Sequence, residues 1–175
     1  AELLQQATLV IAQAGVAAAS SDPDRRLEHL VRAGDEMRAS WTTLEARVIE
    51  WAGLFLPEID LDGQRDVIPI EIAEAETLES AADALHTVSS PTGISEAEWA
   101  ALSQWARGVV EVEDRLKTVE SAIREVALEH LPSTSALIGP LLAARMSITA
   151  NGRERLARLP SGTVQVLGAE TSFFL

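Results

Sequence analysis

Apolar side chains recur along two long stretches with the spacing of one helix face. In the first, Leu27, Leu30, Gly34, Met37, Trp41, Leu44, Val48 and Trp51 fall at intervals of 3, 4, 3, 4, 3, 4 and 3. In the second, Leu102, Trp105, Val109, Val112, Leu116, Val119, Ile123 and Val126 keep the same rhythm. An unbroken heptad seam of this kind predicts a helix that buries one stripe against a partner helix. At about 1.5 Å per residue each seam is roughly 37 Å long, so the two helices form a matched antiparallel pair. Asp22-Pro23 opens the first helix, and Ser95 with Glu98 three residues later forms a capping box at the second. The boundaries are therefore set near 24 and 95.

Between the seams, Pro57, Asp60, Asp62 and Gly63 signal turns, residues 71–88 read as one helical stretch, and Ser89-Ser90-Pro91-Thr92-Gly93 closes the insert. Residues 1–20, rich in Ala, Leu and Gln, are also helical, with Gly15 as a weak point. After His130 the seam stops. Pro132-Ser133 opens a helix, Gly139-Pro140 interrupts it, Asn151-Gly152 makes a turn, a short basic helix follows, and Pro160-Ser161-Gly162-Thr163 opens another. "TVQVLGA" also alternates like a strand; helix is preferred because no partner strand is visible elsewhere. The plan is all-α: the end of a connecting helix at 1–23, a coiled-coil domain at 24–130 with a helical insert at about 57–94, and a compact helical module at 131–175.

Composition narrows the chemistry. No cysteine occurs, and His29, His86 and His130 have no ligand spacing, so disulfides, thiolate chemistry and a metal centre are not expected, nor is any cofactor. No nucleophile, base and orienter set appears, so the chain reads as a non-enzyme with no catalytic residue. Glu111, Glu113 and Asp114 cluster in sequence, but adjacent helix positions do not face one another, and they read as a solvated face. No apolar run is seen to approach the roughly 20 residues of a membrane span, and no charged leader is visible. A soluble, cytoplasmic protein without a membrane partner is expected. Ala1 and the apolar ending "SFFL" suggest a piece of something longer.

The net charge of −13 argues at first against nucleic acid, whose phosphates need cations. The charge is divided by segment, however. Residues 1–130 hold 10 Lys+Arg against 25 Asp+Glu, a balance of −15; residues 131–175 hold four Arg against two Glu, a balance of +2. Lys117 is the single lysine among 14 cations, a pattern shared by proteins of high-salt organisms and by those of high-GC genomes. Arg153, Arg155 and Arg158 stand just ahead of the Pro160 helix start, where Ser161 or Thr163 can cap, Gly162 permits close approach of another backbone, and the free amides suit a phosphate. A helix start beside arginines also occurs with no ligand at all.

These residues carry a resemblance. "LPSTSALIGPLLAARM" followed by "LARLPSGTVQVLGAETSFF" resembles the Nop domain of the box C/D ribonucleoprotein scaffold proteins, the archaeal and eukaryotic partners of fibrillarin, and "RVIEWAGLFLPEI" is similar to the end of that family's first coiled-coil helix. Ser133, Ala52, Phe55 and "TANGRERL" depart from the family pattern. The resemblance implies a long antiparallel coiled coil that forms a homodimer, then a helical Nop module that clasps kink-turn guide RNA together with a small kink-turn-binding protein of ribosomal type. It also implies that fibrillarin methyltransferase is recruited through a separate domain, expected to be absent from this chain. It places Arg158, Ser161, Gly162 and Thr163 against RNA phosphate, and Gly168, Ala169 and Glu170 in a turn near protein and RNA. Gly139 and Arg145 are expected to serve packing and an ion pair. The implied location is cytoplasmic in an archaeon and nucleolar in a eukaryote. A coiled-coil oligomerisation module without RNA is the rival reading.

Overall fold

The computed structural model describes residues 1–169, and every regular element among them is helical. In chain order these are α1 (Glu2–Ser21), α2 (Pro23–Phe55), α3 (Ile68–Glu74), α4 (Leu78–Ala84), α5 (Glu96–His130), α6 (Pro132–Ile138), α7 (Pro140–Thr149), α8 (Arg153–Leu156) and α9 (Ser161–Ala169). The all-α expectation holds, with two long helices compatible with a coiled coil and a following group of short ones. "TVQVLGA" is helical, as preferred. The chain forms two compact units that divide the long helices: residues 1–34 with those from 118 onward, and residues 35–117.

The α1–α2 break follows from Pro23, which disfavours helical geometry at Asp22; Asp22 is extended, and its carboxylate accepts the Asp24 amide at 3.0 Å. No residue of α1 is buried, and its apolar side chains Leu3, Leu4, Val10 and Ile11 face outward. By length and composition α1 is apolar enough to cross a membrane, which corrects the expectation that no run approaches that length.

In the 35–117 unit the last half of α2 packs antiparallel on the first half of α5. Val48, Ile49 and Ala52 meet Leu102, Ala106 and Val109, and α3 and α4 close over them through Ile68, Ile72, Leu78 and Leu85. The seam therefore points inward except at Trp105, which is half-exposed while Ala106 takes the inner place; the Trp105 indole donates to the Leu44 carbonyl at 3.0 Å. The helix expected across 71–88 is two helices, because Thr77 and Ser80 form a capping box that starts α4 after the extended Ala75. At α5, Glu98 accepts from the Ser95 amide at 3.1 Å and the Ser95 hydroxyl at 2.5 Å. Those bonds hold the Glu98 carboxyl below the usual range. Glu45 is buried, with 3% of its side chain exposed, and receives Arg65 through Nε at 3.1 Å and Nη2 at 2.6 Å, which raises the Arg65 pKa. The acidic face of α5 is solvated, as expected, and laced by Glu111–Arg115 and Glu113–Lys117 pairs.

In the other unit the start of α2 packs antiparallel on the end of α5. Leu27 and Val31 meet Ile123, Ala127 and Leu131, with Ala143 and Ala144 of α7 completing the core. Ser135 of α6, buried, donates to the Ala127 carbonyl at 3.1 Å.

Candidate nucleic-acid interface

The basic end is built on a polar junction that joins α2, α5, α7 and α8 within one unit. After α7, Asn151 and Gly152 turn the chain with φ of 61° and 107°. A Cβ on Gly152 would lie 2.8 Å from Asp24 Oδ2, so this position needs glycine for its backbone and for space. Asp24, in the first turn of α2, accepts the amide of Arg153 through both carboxylate oxygens at 3.1 Å, meets His130 Nε2 at 2.8 Å and lies 3.4 Å from the Ser147 hydroxyl. An acid borrowed from α2 thus stands at the start of α8, where the helix dipole favours negative charge. Arg153 answers from the other side, its Nη1 donating to the His130 carbonyl at 3.1 Å near the end of α5.

The three expected arginines therefore have three different situations. Arg153 is tethered through backbone and guanidinium. Arg158 pairs with Glu154 one turn back, both highly exposed, an arrangement of small energetic weight. Arg155 is exposed, and no side-chain partner is found for it among the described residues. Arg145 is half-buried and engaged.

Arg158 leads through Leu159 into Pro160, Ser161, Gly162 and Thr163, all four of which are exposed at the start of α9. The Thr163 and Val164 amides bond back to the Pro160 carbonyl at 2.9 and 3.1 Å. A Cβ on Gly162 would touch nothing within 4 Å, so the surrounding protein leaves open space there. Gly168 and Ala169 belong to α9, with nothing described of their surroundings, and Glu170 lies outside the described residues.

Sequence reasoning missed Asp24, His130 and Ser147 as parts of this end. Asn151-Gly152 was legible as a turn, but no spacing in the chain connects it with Asp24, 128 positions earlier. Among the described residues no group of three or more His, Cys, Asp or Glu is placed to hold a metal ion.

Fold and site together define a class: an all-α protein whose long paired helices lead into short helices carrying an exposed basic corner. Within that class the chain belongs to the Nop family, described as "snoRNA binding domain, fibrillarin", whose pattern it matches over residues 42–175. It is similar to nucleolar protein 58 of Schizosaccharomyces pombe, 30% identical over 80% of this chain and 31% of that protein. The Neurospora crassa nucleolar protein 58 is 26% identical over 86% of this chain and 28% of its own length. A NOP5 family protein of Methanocaldococcus jannaschii is 24% identical over 86% of this chain and 41% of its own. The chain thus spans about a third of the length of the relatives it matches. The expected family resemblance is borne out.

Proposed function

We propose that this chain is an RNA-binding scaffold of a box C/D 2′-O-methylation ribonucleoprotein. In this reading it holds kink-turn guide RNA beside a small kink-turn-binding protein, dimerises through its coiled coil, and leaves methyl transfer to a separate fibrillarin-type enzyme. Family membership supports the RNA-binding part. The observation that carries it to particular residues is the exposed corner at 155–163: two outward arginines run into a helix start whose Gly162 faces open space. Backbone amides there and guanidinium groups beside them suit a phosphodiester, which is held by such donors without reading sequence. The reading includes Gly168, Ala169 and Glu170 as the neighbouring contact turn. Arg153 contributes differently from Arg155 and Arg158, by holding α8 against α2 and α5.

The test is titration of labelled kink-turn RNA over a series of salt concentrations, with and without the small kink-turn protein. Binding that weakens in the double variant Arg155→Glu/Arg158→Glu, with a shallower salt slope and an unchanged helical circular-dichroism signal, supports the reading. No binding by the wild-type chain in either arm leaves the oligomerisation module instead. Sedimentation of the wild-type chain checks the dimer separately.

A further inference from the structure

A second cationic surface lies in the same compact unit, on a segment whose overall charge hides it. Where α1 gives way to α2, Val16, Ala19 and Ser20 form one wall of a groove and Arg25, Arg26 and His29 the other, enclosing about 470 Å³. No acidic residue lines it, although residues 1–130 as a whole carry 25 Asp+Glu. Of the two acids beside Arg25, Arg26 and His29 in sequence, Glu28 is occupied by Arg25 at 3.3 Å and Arg32 at 2.6 Å, and Asp24 by His130 and the Arg153 amide. Arg26 and His29 are exposed, and among the described residues neither has a side-chain partner. Arg26 thus keeps its guanidinium donors open to an anion on a wall that holds no carboxylate.

The neighbouring cavity of this unit shows the contrast. It is lined by Asp22, Asp24, Arg25, Glu28, Ser147, Ile148, Asn151 and Gly152, and its acids are each engaged: Asp24 by the junction that holds α8, Asp22 by the Asp24 amide, and Glu28 by Arg25 and Arg32. Asp24 thus turns its carboxylate to the α8 side, while Arg26 and His29 are left facing solvent in the groove.

We infer that the α1–α2 groove is a second RNA contact, in which Arg26, supported by His29 and Arg25, takes a backbone phosphate of the same guide RNA that the 155–163 corner engages. This rests on the RNA-binding reading above. The apolar wall of Val16 and Ala19 suits a ribose edge beside the phosphate, so the contact positions the RNA without selecting its sequence.

The experiment measures affinity of the 175-residue chain for a labelled kink-turn RNA hairpin with its flanking duplex, across salt, for the wild type, Arg26→Ala, Arg47→Ala and Arg155→Glu/Arg158→Glu. Arg47 is an equal loss of charge in the other unit, where it pairs with Glu50 at 2.8 Å. For Arg26→Ala the slope of log affinity against log salt is expected to fall by about one, with affinity near 0.1 M salt lower by about five- to tenfold. Arg47→Ala is expected to match the wild type. Equal slopes for Arg26→Ala and wild type, while the 155/158 variant still loses binding, overturn the second contact alone. Failure of the wild type to bind overturns both readings together.

Discussion

The two compact units of this chain are held by different physics. In the 35–117 unit the core is made of large side chains supplied by the heptad seam and by two short helices laid over it, with Leu102, Ile68, Ile72 and Leu85 fully buried. Its polar contacts, such as Arg65 with Glu45 and Trp99 with the Glu76 carbonyl at 2.8 Å, secure the edges of that core. In the other unit the buried residues beyond Leu27, Ile123 and Leu131 are mostly small, Ala127, Ala143 and Ala144 among them, and the short helices depend on Asp24 as a common acceptor. Small side chains bring helices close but bury little area, so the remaining order comes from a polar junction. The comparison teaches that the unit carrying the proposed RNA corner is the one less secured by hydrophobic burial, and that its arginines divide between holding the fold and facing outward.

The largest expected effect tests the hydrophobic side of this contrast. Leu102→Ala removes a fully buried side chain and is expected to destabilise by about 2–5 kcal/mol, read as a lowered midpoint in urea, while RNA affinity at permissive conditions stays near that of wild type. Next comes the polar side. Asp24→Ala strips His130, Ser147 and the Arg153 amide of their shared acceptor and is expected to cost about 2–3 kcal/mol. Hydrogen exchange should show protection lost first over α7–α9, and retained protection there would break the comparison. Gly152→Ala should reproduce that pattern, since the new methyl group meets the same carboxylate and the backbone is one that glycine alone adopts readily.

Arg65→Ala is expected to cost about 1–2 kcal/mol, because it leaves Glu45 buried without its partner. The figure is kept below that of a fully enclosed pair because 41% of the Arg65 side chain is exposed to water. Arg155→Glu/Arg158→Glu should shift stability by no more than about 0.5 kcal/mol while changing RNA binding, which separates surface from scaffold. The smallest effect concerns pH. The Glu98 carboxyl is held low by Ser95, so the help this capping box gives α5 is present at neutral pH and fades as pH falls through the lowered value of the folded state. In Ser95→Ala the stability deficit against wild type should be full at neutral pH and shrink as pH falls through the lowered Glu98 value; a deficit that stays constant on acidification would exclude the Glu98 contact as the cause.

Much of the fold was legible because its signals are local. The heptads, the Asp22-Pro23 break, the Ser95–Glu98 box and the successive Pro and Gly stops each act within one turn of helix, and α2 and α5 begin at Pro23 and Glu96 as those signals require. The reading failed where a second local signal competed: Thr77 and Ser80 end one helical stretch and start another. It also understated α1, whose apolar residues are interleaved with Gln and Thr and so form no obvious run. The corner at 155–163 was legible as composition, and its exposure was not.

What the chain's order of residues determines by itself is therefore the set of helices, their buried stripe and the concentration of positive charge after residue 131, since periodicity, capping and charge all operate over a few neighbours. What only the tertiary structure decided is which of those charges are available. Arg153 and Asp24 lie 129 positions apart, and their meeting depends on the antiparallel return of α5 along α2, which brings His130 and the α7–α8 turn to the start of α2. A guanidinium looks the same in sequence whether it ties two helices together or reaches into water; the difference is set by long-range packing, which places an acceptor beside one and none beside another.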